Sequence, residues 1–97
     1  MTGVLIRARV DPEQRRELMS IFKEISQSTE LPANCLERRV YEEIILPTNL
    51  LVVEEWSDMS AMHSYLSSSR FQALIGVVKV LDTVVDVRTF ETACIQI

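Results

Sequence analysis

Apolar and polar residues alternate near the start of the chain. Arg7 and Arg9 fall on one side of this segment, and the opposite side consists of Val4, Ile6, Ala8 and Val10. A repeat of two residues is typical of a strand that buries one face. The pattern therefore predicts a first strand over residues 4–10.

A helical repeat replaces this alternation after Asp11 and Pro12. Asp11 suits the N-cap position, and Pro12 suits the first helical position because the N–H group that it lacks has no helical partner there. The apolar positions that follow recur every three or four residues and are Leu18, Ile21, Phe22 and Ile25. This spacing predicts a helix with one buried stripe that ends within residues 27–29.

Two further strands are predicted on either side of a turn at residues 47–49. The turn is short, so the two strands are expected to pair as antiparallel neighbours. Residues 50–56 form an apolar run that ends at Trp56. Residues 35–44 alternate with polar side chains on both sides, which is typical of a strand beside an interface or a polar cavity. One side of this strand is expected to carry Cys35, Glu37, Arg39, Tyr41 and Glu43.

The second half of the chain predicts two helices and a last strand. Ser57 or Asp58 is expected to cap a short helix. The apolar stripe of this helix comprises Met59, Met62 and Leu66. Serines at 67–69 interrupt it, and a further helix is predicted over residues 70–80, with an apolar face of Phe71, Leu74, Ile75 and Val78. Residues 84–90 are rich in β-branched side chains and predict the fourth strand.

The order of these elements, β-α-β-β-α-β, is typical of the ferredoxin-like α+β fold. In that fold four strands form an antiparallel sheet with the helices on one face. We interpret residues 1–97 as a single domain of this class. The other face of the sheet would expose Leu5 or the valines of the last strand, and a monomer rarely leaves a broad apolar face in water. We therefore expect a homodimer.

Composition narrows the classes of partner and compartment. The chain has 97 residues, of which 47% are hydrophobic, so it is too apolar for a disordered segment. The net charge is −4, and the lysines and arginines are scattered, which argues against nucleic acid and membrane surfaces as partners. The first apolar run reaches Arg7 too soon for a signal peptide. We expect a cytoplasmic protein.

No residues are spaced as a metal or cofactor site. Cys35 and Cys94 stand apart from each other and from any Cys-x-x-Cys pair, so both are expected to be reduced thiols. The chain also lacks a phosphate-binding Gly-rich loop, a dinucleotide fingerprint and a nucleophile elbow. We expect no cofactor and no metal, so any catalysis has to use side chains alone.

A spaced set of residues follows the third predicted strand: Glu54, Trp56, Asp58, Ala61, Met62, Ser68 and Phe71. This pattern resembles the antibiotic biosynthesis monooxygenase family of dimeric α+β barrels. Tyr65 stands where the family usually has His, and Ser69 and Arg70 replace a Pro-His pair. The resemblance implies that two sheets pack face to face in a shared barrel, with residues 93–97 reaching across to the partner. It also implies oxygenation of electron-rich aromatic compounds, such as anthrones and hydroquinones, without metal or organic cofactor.

Such a reaction requires a base and a group that stabilises the substrate anion, because the anion donates an electron to O₂ readily. Tyr65 is the leading candidate to orient or protonate a substrate oxygen. His63 has the only side chain whose ordinary pKa is near neutrality, and Glu54 is the third catalytic candidate. For Tyr65 and for His63 the alternative is an ordinary position at the border of the helix, without a role in catalysis. The alternative for Glu54 is an ion pair across the sheet with Arg7, Arg9 or Arg39.

Four residues are the candidates for substrate binding: Trp56, Phe71, Met62 and Arg7. Trp56 lies where a strand becomes a helix, and a large ring there can form one wall of a small pocket between the sheet and the helices. The alternative for the three apolar side chains is ordinary core packing.

Two functions of different classes therefore remain open. The first is a cofactor-independent monooxygenase of the quinol or anthrone type. The second is a non-catalytic dimeric module that binds a small apolar or aromatic ligand, which the replacement of the family's His by Tyr65 favours. Haem degradation is disfavoured, because relatives that perform it use Asn and His in regions where this chain has Arg7 and Ile75.

Overall fold

The computed structural model describes residues 2–27, 31–46, 48–81, 84–91 and 93, without the side chains of residues 25–27. In chain order the elements are β1 (Thr2–Arg9), α1 (Arg15–Gln27), β2 (Cys35–Glu42), β3 (Asn49–Trp56), α2 (Met59–Leu66), α3 (Ser69–Val80) and β4 (Val84–Glu91). The expectations for the Ile25 side chain, for Cys94 and for a tail that reaches a partner fall outside the described residues.

The four strands form one sheet in the order β2-β3-β1-β4, and every neighbouring pair is antiparallel. The first strand of the chain is therefore an inner strand, and the last strand is an edge. With its helices this is a ferredoxin-like α+β fold, so the predicted fold class is confirmed. The helical region between β3 and β4 is divided in two at the serines, as the sequence predicts.

The helices cover one face of the sheet, which we call the covered face. Every second residue of β3 points to it, and these residues are all buried: Leu50, Val52, Glu54 and Trp56. The helices contribute Leu18, Phe22, Met62, Phe71 and Val78 to the same core. Met59 was expected in the stripe of Met62, but it is 41% exposed. Met59 is the first residue of α2, and helical side chains lean toward the N-terminus of their helix.

A bulge in β2 changes which residues share a face. Cys35 lies opposite Trp56 and Glu37 lies opposite Glu55, so two steps along β2 match one step along β3. The expectation that Cys35 shares a side with Glu37, Arg39 and Tyr41 is therefore wrong, because the extra residue resets the alternation. Cys35 is buried on the covered face, together with Arg38 opposite Glu54.

The ends of the helices follow local hydrogen bonds. Asp58, one of the two predicted caps, caps α2 by accepting from Ser60 N at 3.0 Å. Ser68, one of the serines expected to interrupt the helical region, caps α3 by accepting from Phe71 N at 3.2 Å. The first helix begins at Arg15 rather than at Pro12. Residues 12–14 form a turn, because the Asp11 carbonyl accepts from the N–H only three residues later. Within the described ranges, no helix combines the length and the apolar character needed to cross a membrane.

The opposite face of the sheet, which we call the open face, carries a close contact at Gly3. A Cβ atom at Gly3 would lie 2.4 Å from Cζ of Phe90 and 2.5 Å from the carbonyl oxygen of Glu54. Phe90 faces Gly3 directly across the pairing of β1 with β4. Only glycine allows the ring to lie this close to the backbone.

Candidate active site

The carboxylate of Glu54 lies at the centre of the candidate site. Glu54 is on the covered face near the end of β3, and its side chain is 2% exposed. Oε2 accepts from Nε of Arg38 at 2.7 Å, and Oε1 accepts from Nε1 of Trp56 at 3.2 Å. Both carboxylate oxygens are therefore bonded to donors inside the protein, which a buried charge requires.

The partner of Glu54 differs from the expected ones. The sequence suggested a cross-sheet pair with Arg7, Arg9 or Arg39, and this is wrong. Arg38 occupies the position opposite Glu54 in the pairing of β2 with β3. Its side chain is 4% exposed, and the two charges form a buried ion pair.

Arg38 also extends the network to the second helix. Its Nη2 donates to the hydroxyl of Tyr65 at 3.3 Å. Tyr65 lies in the last turns of α2 and is partly exposed, whereas Arg38, Glu54 and Trp56 have almost no contact with solvent. Tyr65 is therefore the member of this network that is in contact with solvent.

Three aromatic rings pack around this network. The ring centroids of Trp56 and Tyr65 are 5.3 Å apart, and those of Tyr65 and Phe71 are 5.4 Å apart in an edge-on arrangement. Both distances are typical of favourable aromatic pairs. Ser68 links the main chains of two of these residues, because its hydroxyl donates to the Tyr65 carbonyl and accepts from Phe71 N. The sequence candidates Trp56, Tyr65 and Phe71 are thus brought together.

The site contains two groups with raised pKa values, the Tyr65 hydroxyl and the Cys35 thiol. Burial raises the pKa of the Tyr65 hydroxyl above its ordinary value, and the Glu54 carboxylate adds to this, while Arg38 acts in the opposite direction. Burial, again with Glu54, raises the pKa of the Cys35 thiol to about 11. Near neutral pH both groups are protonated, so Tyr65 offers a hydrogen-bond donor and not a base.

The structure does not bring all of the candidates to this network. His63 is exposed on α2, and Arg7 is exposed on the open face of β1, on the other side of the sheet from Glu54. Met62 is buried beside β1, where its sulfur lies 3.7 Å from the hydroxyl of Thr2. Among the described residues no group of three or more His, Cys, Asp or Glu side chains could hold a metal ion.

A groove of about 370 Å³ lies between α1 and the sheet. Its walls come from α1, β2 and β3 and are formed by Met19, Ser20, Lys23, Val40, Tyr41, Glu42 and Leu50. Val40 and Arg38 are successive residues on the same face of β2, opposite Val52 and Glu54. The sequence predicted a pocket with Trp56 in one wall; Trp56 is fully buried and does not line this groove.

Another hollow of about 380 Å³ is bordered by Arg7, Tyr41, Asn49 and Leu51 among others. Arg7 and Leu51 are paired on the open face. Arg7 is therefore near a cavity, although not near the aromatic rings.

Arg38 is the member of this network that the sequence did not single out. One signal for it was present: residues 38 and 39 are both arginines in a strand, so one of them has to face the helices if one face is covered. A carboxylate on the covered face of the neighbouring strand is the natural partner of such an arginine.

Comparison with known proteins agrees with this fold. The sequence model of the family described as antibiotic biosynthesis monooxygenase matches residues 1–76. A structure assigned as a candidate antibiotic biosynthesis monooxygenase from Deinococcus radiodurans has 24% identity and a TM-score of 0.89, covering 100% of this chain and 98% of that chain. A conserved protein from Methanosarcina mazei has 24% identity and a TM-score of 0.79, with coverage of 95% and 92%.

A mutant of SnoaB, a cofactor-independent oxygenase from Streptomyces nogalater, has 14% identity and a TM-score of 0.80, covering 97% of this chain and 94% of that chain. At these identities the structural matches establish the shared fold. A search of curated proteins gave no significant match.

Proposed function

Because the chain belongs to the antibiotic biosynthesis monooxygenase family, we propose that it is a cofactor-independent monooxygenase of small, electron-rich aromatic compounds of the quinol or anthrone type. One observation carries the proposal. A buried series of polar contacts runs from Trp56 through Glu54 and Arg38 and ends at the hydroxyl of Tyr65, within a cluster of aromatic rings. A phenolic substrate requires both an apolar wall and a polar group that meets its oxygen.

In such a reaction O₂ is the oxidant and the substrate supplies all of the electrons. With a hydroquinone as substrate, one atom of O₂ enters the ring, the other leaves as water, and the product is a hydroxyquinone. The substrate anion is the species that donates an electron to O₂ readily. A protein therefore accelerates this chemistry by stabilising the anion with fixed donors.

Tyr65 is the group that we assign to the substrate oxygen. Its raised pKa keeps the phenol protonated, so it donates a hydrogen bond to the anion and does not remove a proton. Glu54 is held by two donors, and its role is to fix Arg38 and Trp56. We assign no step to His63, which is exposed and outside these contacts.

The groove between α1 and the sheet supports the choice of a small substrate. Its volume of about 370 Å³ is at the lower end of the range for small-molecule sites, which is roughly 300–1,000 Å³. Met19, Val40 and Leu50 provide apolar surface for a ring. Val40 is two residues from Arg38 on the same strand face, about 7 Å away. Arg38 and Tyr65 do not line the groove itself, and we propose that the substrate oxygen meets the partly exposed Tyr65 beside it.

We also propose that the protein acts as a homodimer through its open face. Leu5, Leu51, Val53 and Phe90 lie on that face and are all partly buried within the single chain. Packing two such faces together would remove their remaining apolar surface from water. Light scattering at micromolar concentration is expected to give the mass of two chains, and the mass of one chain would contradict the proposal.

Oxygen uptake with a panel of hydroquinones and anthrones tests the activity. Uptake above the uncatalysed rate is expected for the unmodified protein, with a decrease of about a hundredfold in kcat for Tyr65→Phe, which keeps the ring and removes the donor. Arg39→Met is the control, because Arg39 is exposed on the other face of β2. No uptake with any substrate, or loss in His63→Asn but not in Tyr65→Phe, would contradict the proposal.

The second candidate is a non-catalytic module that binds a small aromatic ligand. One observation favours it: both oxygens of Glu54 are already bonded and His63 is exposed, so no buried base is free among the described residues. A bound aromatic compound in the purified protein, without consumption of O₂, would favour this candidate over the monooxygenase.

A further inference from the structure

Arg38 contacts both the buried carboxylate of Glu54 and the hydroxyl of Tyr65, which is partly exposed. We infer that Arg38 is the positioning residue of this site: held by Glu54, it donates to one lone pair of the Tyr65 hydroxyl oxygen and so favours the orientation in which the Tyr65 proton points away from the guanidinium, as a donor to an aromatic oxyanion. This inference rests on the proposed function and deepens it, because it names the bound form of the substrate, a phenolate, and the residue that prepares the site for it.

The hydrogen bond between Arg38 and Tyr65 has only one possible direction. A guanidinium group has only donors, so in the contact of 3.3 Å the hydroxyl oxygen of Tyr65 accepts. The hydroxyl hydrogen has to point elsewhere. In the described part of the chain no hydrogen bond donated by this hydroxyl is seen, so a ligand oxygen is a suitable acceptor for it.

The side chain of Arg38 is itself held in place by a series of hydrogen bonds. Its Nε donates to Glu54 at 2.7 Å, and Glu54 is fixed on its other oxygen by the indole of Trp56, which is fully buried. Each group in this series is therefore held by a neighbour that cannot move without breaking another bond. Donors that are oriented before a ligand binds stabilise an anion more than donors that have to be reoriented.

The network lies beside the groove along β2. Arg38 is the residue before Val40 on the covered face of β2, and Val40 lines the groove. Arg38 and Tyr65 are not among the residues that line the groove, but Tyr65 is partly exposed and donates from a surface that solvent reaches. In this inference the phenolate oxygen meets the Tyr65 hydroxyl at that surface.

The competing interpretation is that Arg38 only neutralises Glu54. The two interpretations differ in a variant that removes both charges, Arg38→Met with Glu54→Gln. This variant leaves no buried charge unpaired and retains an acceptor for Trp56, so a purely structural role predicts normal ligand binding. A positioning role predicts that binding of the anion stays weak, because the Tyr65 hydroxyl is no longer oriented.

The test uses para-nitrophenol, whose anion has a distinct absorbance, as the probe. The unmodified protein is expected to bind the phenolate form preferentially and to lower the pKa of the bound probe. Binding is expected to weaken by about tenfold to a hundredfold in Tyr65→Phe and in the double variant, as for loss of a hydrogen bond to a charged group. Arg38→Lys keeps the positive charge but lacks the planar guanidinium with its fixed set of donors, so its affinity for the phenolate is expected to be intermediate. Arg39→Met is the matched control and should bind normally.

Ionisation of Tyr65 gives a second measurement that needs no ligand. In the background Tyr41→Phe, Tyr65 is the only tyrosine, and the ultraviolet absorbance of tyrosinate reports its pKa. The pKa is expected to rise when Arg38 is replaced by Met together with Glu54→Gln, relative to Glu54→Gln alone, because the neighbouring cation is lost.

The outcomes separate this inference from the proposed function. Phenolate binding that depends on Tyr65 and Arg38, without any uptake of O₂, would overturn the proposed activity and support the inference. Oxygen uptake that is unchanged in the double variant, or phenolate binding and a Tyr65 pKa that do not respond to Arg38, would overturn the inference.

Discussion

The buried ion pair between Arg38 and Glu54 leads to a quantitative prediction about stability. Their side chains are 4% and 2% exposed, and Nε and Oε2 are 2.7 Å apart. Removing one partner leaves a buried charge without compensation, which costs about 3–5 kcal/mol. A domain of this length has a free energy of unfolding of about 5–15 kcal/mol. Arg38→Met is therefore expected to remove roughly a fifth or more of the total stability.

The double variant, Arg38→Met with Glu54→Gln, is expected to recover most of this loss. It removes both charges together, and exchange of a complete buried pair for neutral groups is often neutral or stabilising. The amide oxygen of the new glutamine can still accept the hydrogen bond of Trp56, which lies 3.2 Å from the present carboxylate oxygen. The stability that Arg38→Met loses is thus the cost of leaving the Glu54 carboxylate buried without its partner.

Urea unfolding followed by the fluorescence of Trp56, the only tryptophan, measures these changes. Arg88→Met serves as the matched control, since Arg88 pairs with Asp86 at 2.8 Å on the surface, with side chains 67% and 43% exposed. The control is expected to lose less than about 1 kcal/mol. Equal losses for Arg38→Met and Arg88→Met, or a double variant no more stable than Arg38→Met, would refute the reasoning.

Three further predictions concern other parts of the fold. Gly3→Ala is expected to cost about 1–3 kcal/mol and to lower the melting temperature, because the new methyl group would clash with Phe90 and with a backbone carbonyl; an unchanged melting temperature would contradict this contact. Ser68→Ala is expected to cost about 1 kcal/mol in urea unfolding through loss of the α3 cap. Burial raises the pKa of Cys35 from 9.0 to about 11, so the unfolded chain ionises first and stability falls as pH rises from about 9 to about 11; Cys35→Ala should reduce this fall.

Local signals in the sequence were sufficient for the order of the elements. Asp58 was recognisable as a cap because a short polar side chain precedes the helical stripe, and it accepts the expected hydrogen bond. The serines at 67–69 predicted the break between two helices, and Ser68 caps the second of them. The bulge at Cys35 has no such signal. The bulge depends on how β2 aligns with β3. The sequence pattern of β2 is compatible with a regular strand and with a bulged one, so it does not reveal the bulge.

The candidate site was predictable only in part, for a related reason. Helical spacing brings Tyr65 near Trp56, but it gives His63 an equally plausible position at the other border of the same stripe. The contact of Tyr65 with Arg38, on a strand 27 residues earlier in the chain, is what distinguishes them. A long-range contact of this kind is set by the packing of α2 on the sheet, and no local pattern reports it.

The buried guanidinium also explains why a tyrosine suits position 65. A phenol can accept from Arg38 and donate its own proton to a ligand at the same time. A protonated imidazole there would have only donors and would be repelled by the cation, so a histidine would be held in its neutral form. Tyr65 avoids this conflict, since its raised pKa keeps the proton that it donates. Arg38 and Tyr65 are therefore complementary, and in the proposed reaction we expect them to stabilise a substrate anion rather than to remove a substrate proton.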